Sequence, residues 1–227
     1  MLHRLTNVLS LSNSPIGLTG VLSSRIACLA AFGILAVDMT FASHIGFWQR
    51  IGLAGIFLAV CSATERPFSL TTLGLTLRPV QGWRWWLPIY AILISVLAVF
   101  CLGVYLTVHS MNNPLGFRSM YVSWYDVRSS ITWSCVRAPI MEEAIYRLVA
   151  CVALKPIVGA RITVLVTGIL FSLLHVRYGN PGIDNATAGF LLAWVFLKSG
   201  SILVPILFHA AGNAVIVALH AALIYHG

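Results

Sequence analysis

Two glutamates, Glu142 and Glu143, stand side by side in a mostly apolar stretch, and Arg147 lies four residues beyond the second. Further on, His175 follows Phe171 by four residues and Asn213 follows His209 by four. An acid, two imidazoles and a side-chain amide are the parts of a hydrolytic site. A carboxylate can take a proton from water as the water attacks. Fixed N–H donors can hold the oxyanion that forms. Four-residue spacing puts each pair on one face of a helix, so Glu143 and Arg147 can neutralise each other. Glu142 is turned away by about 100° and stays available for chemistry.

The elements that must position these groups follow from composition. The chain has 227 residues, 59% of them hydrophobic and 9% charged, against about 25% charged in soluble domains. The runs from Trp85 to Val108 and from Ser201 to Tyr225 hold no Asp, Glu, Lys or Arg, and each exceeds the ~20 residues that cross a bilayer. The expected fold is therefore all-α, a multi-pass transmembrane bundle of about seven helices. They are expected near 24–44, 49–64, 85–108, 128–152, 160–177, 183–198 and 201–225. Residues 1–23 read as a cytoplasmic N-terminal lead and 24–227 as one membrane domain. Asn112, Asn113, Pro114 and Gly116 mark a turn region, and Trp83, Arg84, Trp85 and Trp86 suit a lipid–water boundary.

The net charge of +8 comes from dispersed residues and forms no basic stripe, so a nucleic-acid partner is not expected. With the N-terminus inside, Arg4, Arg25, Arg66, Arg78, Arg84, Lys155, Arg161 and Lys198 fall on the inner side, and Arg50, Arg118, Arg128 and Arg177 on the outer. That bias favours a cytoplasmic N-terminus. Five cysteines, none in a C-x-x-C pair, read as small packing residues. His44, His109, His220 and His226 fall near expected helix ends.

The fourth expected helix is the anomaly, with Arg137, Glu142, Glu143 and Arg147 inside one apolar segment. Four unpaired ions facing lipid would cost on the order of 10 kcal/mol. They are expected to face the bundle interior and to find partners there. Asp38, a lone acid in the first helix, is expected to be structural, with Arg137 as one candidate partner.

Glu142-Glu143-Ala-Ile-Tyr-Arg147, Phe171-Ser-Leu-Leu-His175 and His209-Ala-Ala-Gly-Asn213, in this order on three membrane helices, resemble the E-E-x-x-x-R, F-x-x-x-H and H-x-x-x-N motifs of the CPBP family. That family holds the type II CAAX prenyl endopeptidases and the bacteriocin-processing (Abi) proteins. Leu73-Gly74-Leu75 followed by Arg78-Pro79 resembles the short loop that often precedes its core, so the resemblance spans about 70–220. It implies an intramembrane endopeptidase acting on membrane-anchored proteins or peptides, with a bacterial inner-membrane location. By position Glu142 would activate water, His175 would hold and polarise it, and His209 and Asn213 would stabilise the oxyanion. Glu143, Arg147 and Phe171 would support the site. No cofactor is favoured. The alternative metal site would be zinc on Glu142, His175 and His209, a ligand set that suits this ion but lacks an H-E-x-x-H helix.

Two other functions fit the same residues: a transporter or proton relay through the Glu and His cluster, and a catalytically silent membrane scaffold. A relay has no need of an amide one turn from its histidine, which favours the protease. A serine protease lacks a G-x-S-x-G here. An aspartyl type would have to use Asp126 and Asp184, both at expected helix ends.

Overall fold

Long apolar runs without charge can bury their backbone polar groups only by forming helix, and that is what they do. The computed structural model describes residues 16, 21–65, 68–110 and 119–224, and among these all regular structure is helical. In chain order the elements are α1 (Val21–Thr40), α2 (Phe47–Thr64), α3 (Trp83–Ser110) and α4 (Trp124–Thr132). A π-helical turn (Trp133–Arg137) leads to α5 (Ala138–Glu143) and a second π segment (Ala144–Cys151) to α6 (Val152–Arg177). α7 (Ile183–Ser199) and α8 (Leu203–Ala222) complete the described elements.

Four helical runs are long and apolar enough to cross a membrane: Phe47–Thr64, Trp83–Ser110, Trp124–Arg177 and Leu203–Ala222. On α3 the residues Leu87, Ile92, Val96, Val99, Phe100 and Leu106 are all exposed. So continuous an apolar surface is at home in lipid and a liability in water. The chain is an integral membrane protein.

The expected fourth and fifth helices join into one 54-residue run, so the described residues form six helical runs where about seven separate helices were expected. The join is not smooth. Gly159 has φ +77° and ψ 163°, a conformation open mainly to glycine, and it breaks the run where the two helices were expected to part. The N-terminal lead lies almost wholly outside the described residues. So do Arg4, Arg66, Arg118, His226 and the turn residues Asn112, Asn113, Pro114 and Gly116.

The chain divides into two compact units, Met1–Gln81 with Met141–Pro205, and Gly82–Ile140 with Ile206–Gly227. The first unit packs α1, α2, the second π segment, α6 and α7 around a core that includes Phe57, Tyr146, Phe171 and Phe196. Its α6 and α7 touch through glycines. A methyl at Gly189 would come within 2.8 Å of the Gly168 carbonyl and 3.2 Å of Phe171, and one at Gly168 within 2.4 Å of Phe190. Small residues that let backbones approach are a common way for membrane helices to pack. The 74–81 loop is pinned to the turn after α7: Val80 N–H donates to Ser199 O and Ile202 N–H to Gly74 O, both at 2.8 Å.

The second unit holds α3, α4 and most of α8. Cys101 and Val108 of α3 pack with Leu219 and Leu223, and Val127 of α4 packs with Val217 and Ala221. Ser123 caps α4: its Oγ accepts from Asp126 N–H at 3.3 Å and donates to Asp126 Oδ2 at 2.9 Å. Asp126 is thus a helix-capping acid.

Candidate active site

The first unit concentrates buried charge. Glu142 is 5% exposed, while Glu143 and Arg147 are fully buried. Arg147 Nε donates to Glu143 Oε2 at 2.7 Å, one helical turn away. The Arg147 guanidinium also lies 5.2 Å from the centre of the Phe171 ring, a cation–π contact that gains strength away from water. Phe171 further meets Tyr146 edge-on at 5.5 Å and the His175 ring at 4.6 Å. It therefore spaces the ion pair from the histidine, and Gly189 leaves room for it.

His175 is nearly buried, and its Nδ1 lies 3.0 Å from the Phe171 carbonyl oxygen. A carbonyl can only accept, so Nδ1 must carry the proton. In the neutral ring this leaves Nε2 as a base with a free lone pair, which is the form that can accept from a water molecule. The F-x-x-x-H spacing thus sets the tautomer through backbone geometry.

A second buried network adjoins these residues. Arg50 Nε donates to Asp38 Oδ1 at 2.5 Å, and Tyr146 Oη donates to Asp38 Oδ2 at 3.2 Å. Arg50 Nη2 donates to the Tyr178 hydroxyl, and Arg50 Nη1 reaches Met141 Sδ at 3.6 Å. Tyr178 sits just past the end of the span. Burial pushes its phenol up to about 12, against the downward pull of Arg50, so it keeps its proton at neutral pH.

These contacts correct three expectations. Arg50, counted above as an outer loop charge, opens α2 with only 2% exposure and pairs with Asp38. An apolar core tolerates the arginine only because the carboxylate neutralises it. Asp38 accordingly does not pair with Arg137. Arg137 itself is exposed, not turned to a partner in the interior. A long side chain can carry its charge along an apolar surface to water, so it does not need an internal partner.

His209 and Asn213 belong to the second unit. His209 is 8% exposed. The adjacent Phe208 meets Trp86 at 6.1 Å and Tyr90 at 5.1 Å, both edge-on. These aromatics, with Trp83, Leu87 and Leu207, line an apolar cleft of about 180 Å³. Asn213 Nδ2 donates to the Ser134 carbonyl at 2.6 Å, and the first π turn explains why. Ala138 N–H reaches back to Trp133 O, and Pro139 has no N–H to give. Ser134 O therefore loses its helical donors, and the asparagine replaces them. One further N–H of the amide remains for other work.

The π segments on both sides of α5 were not foreseen, although wide turns of this kind cluster at functional sites. Tyr146, four residues after Glu142, was visible as a same-face neighbour. Arg50 and Tyr178 left no spacing signal. Neither unit gathers three or more His, Cys, Asp or Glu side chains suited to a metal among the described residues.

Residues 124–215 match the family model of the type II CAAX prenyl endopeptidases, Rce1-like. This stretch runs from the start of α4 past Asn213, and contains all three motifs. The match supports the resemblance to the CPBP family of membrane proteases that the order of the motifs carries. No curated protein and no solved structure matches the chain.

Proposed function

We propose that this protein is a glutamate-dependent intramembrane endopeptidase that hydrolyses peptide bonds of membrane-anchored proteins or peptides. The observation that carries the reading is the pairing of roles in the first unit. Glu143 is consumed by Arg147 at 2.7 Å, while Glu142, beside it, sits nearly buried in a stretch matched by a protease family. Glu142 takes a proton from the attacking water. His175, with Nε2 unprotonated, accepts a hydrogen bond from that water and orients it. His209 and the remaining amide N–H of Asn213 are assigned, from the motif order, as donors to the tetrahedral oxyanion, where each such donor contributes about 3–4 kcal/mol. The proton then passes from Glu142 to the leaving amine, and the products are a new carboxylate and a new amine. No metal takes part in this scheme. The protein lies in a bacterial inner membrane with its N-terminus in the cytoplasm.

Two internally quenched peptides test the reading: one with an S-farnesylated cysteine near its C-terminus, the other with an apolar C-terminal anchor. Purified full-length protein in liposomes is expected to cleave at least one. Glu142→Gln is expected to abolish cleavage with an unchanged melting temperature, and exhaustive chelation to leave the wild type active. Cleavage by Glu142→Gln would defeat the proposal. Loss on chelation with restoration by zinc would transfer the chemistry to a metal.

A further inference from the structure

We propose that Arg50, locked by Asp38, holds the Tyr178 hydroxyl as a positioning group for Glu142 and His175, so that a polar clamp on the first two helices sets the geometry of the hydrolytic site. The inference rests on the hydrolytic reading above and extends it to Asp38 and Arg50, outside the matched stretch 124–215, and to Tyr178, which belongs to none of the three motifs.

The guanidinium is the centre of the clamp. One edge donates through Nε to Asp38 of α1 at 2.5 Å. Nη2 reaches the Tyr178 hydroxyl, at the end of the helix that carries His175, and the Ala42 carbonyl at 3.5 Å. Nη1 touches the sulfur of Met141, the residue immediately before Glu142. One buried side chain thus contacts the segments bearing both Glu142 and His175. Asp38 closes the circuit by accepting from Tyr146, four residues after Glu142 on its own helical run.

Stability alone does not explain such an arrangement. A buried ion pair is often no more stabilising than apolar residues of the same volume. The direction of the hydrogen bonds suggests a different use. Arginine only donates, so the Tyr178 oxygen is the acceptor and its own O–H must point elsewhere. The Tyr178 ring stands edge-on to His175 with centroids 6.1 Å apart, and the arginine that holds its hydroxyl also reaches Met141, next to Glu142. Tyr178 is also 37% exposed, so the clamp runs from the buried carboxylate of Asp38 to the protein surface. A guanidinium can serve Asp38 and Tyr178 from two edges at once, which a lysine ammonium cannot do in the same planar geometry.

The test measures kcat and KM for the two quenched peptides with the full-length protein in liposomes. The variants are Tyr178→Phe, Arg50→Lys, their double mutant, and Glu142→Gln as the reference. Tyr178→Phe keeps the ring and removes only the oxygen. It is expected to lower kcat by about tenfold or more, to leave KM within about twofold, and to leave the melting temperature unchanged. Arg50→Lys is expected to lower kcat similarly, and the double mutant to add little, as for residues acting through one contact. Wild-type kcat in Tyr178→Phe, while Glu142→Gln is inactive, overturns the clamp and leaves the hydrolytic reading standing. A fall in kcat matched by a fall in melting temperature overturns it as well, because it marks a brace. A wild type inert towards both peptides, or an active Glu142→Gln, overturns the hydrolytic reading and the clamp with it.

Discussion

The two units handle polarity in opposite ways. The first buries Asp38, Arg50, Glu65, Glu142, Glu143 and Arg147, while the buried polar residues described in the second are two histidines, His209 and His220. In the first unit buried charge is organised in pairs, Asp38 with Arg50 and Glu143 with Arg147. In the second, the neutral amide of Asn213 repairs one defect of helix geometry, the carbonyl freed by a π turn. Acid–base chemistry needs an ionisable group held in a defined electrostatic setting, and in the proposed mechanism that group, Glu142, belongs to the first unit. Oxyanion stabilisation needs neutral donors on a stiff support, which a histidine and an asparagine one turn apart on α8 can give.

The contrast can be broken in order of expected effect. Arg147→Leu should be the most damaging structural change, because it removes the guanidinium that neutralises the fully buried Glu143, at a cost of about 3–5 kcal/mol. A steep fall in folded yield and melting temperature is expected, with much of it recovered in the double variant Glu143→Leu, Arg147→Leu. A double variant no better than the single would show that the pair is not what stabilises this segment.

In the second unit the principal effect should be on rate. Asn213→Ala is expected to lower kcat by about 10²–10³-fold, the range for loss of one oxyanion donor. Its cost in stability should be smaller, about 1–3 kcal/mol for the Ser134 carbonyl left unsatisfied. Equal kcat in wild type and variant would reduce Asn213 to a helix-repair residue. The mildest change is Gly189→Ala. The added methyl meets the Gly168 carbonyl and Phe171, and crowding of this kind costs about 1–3 kcal/mol. Unfolding followed by circular dichroism would show it, and an unaltered transition would mean that α6 and α7 have slack where they touch.

Much of this is legible in the sequence because membrane helices and their chemical residues follow simple rules. A run free of charge must be helical in lipid, and i, i+4 spacing by itself puts Glu143 with Arg147 and Phe171 with His175. What is not legible has a common cause. Asp38 and Arg50 are twelve residues apart and sit on different helices, so no periodicity links them. Arg50 looks like a loop charge because it stands in the first turn of its helix. The π turns widen a spacing that a 3.6-residue rule assumes constant. Only Pro139, which lacks an N–H, hints at the first of them. Tyr178 lies one residue beyond its helix and carries no motif.

The central claim is that Glu142 activates water and does not itself attack the substrate. A single turnover in water enriched in oxygen-18, read by mass spectrometry of both product and protein, tests this most directly. The account predicts one heavy oxygen in the new carboxylate of the cleaved peptide and none in the peptide containing Glu142. Heavy oxygen in the Glu142 side chain would reveal a covalent acyl intermediate and contradict it.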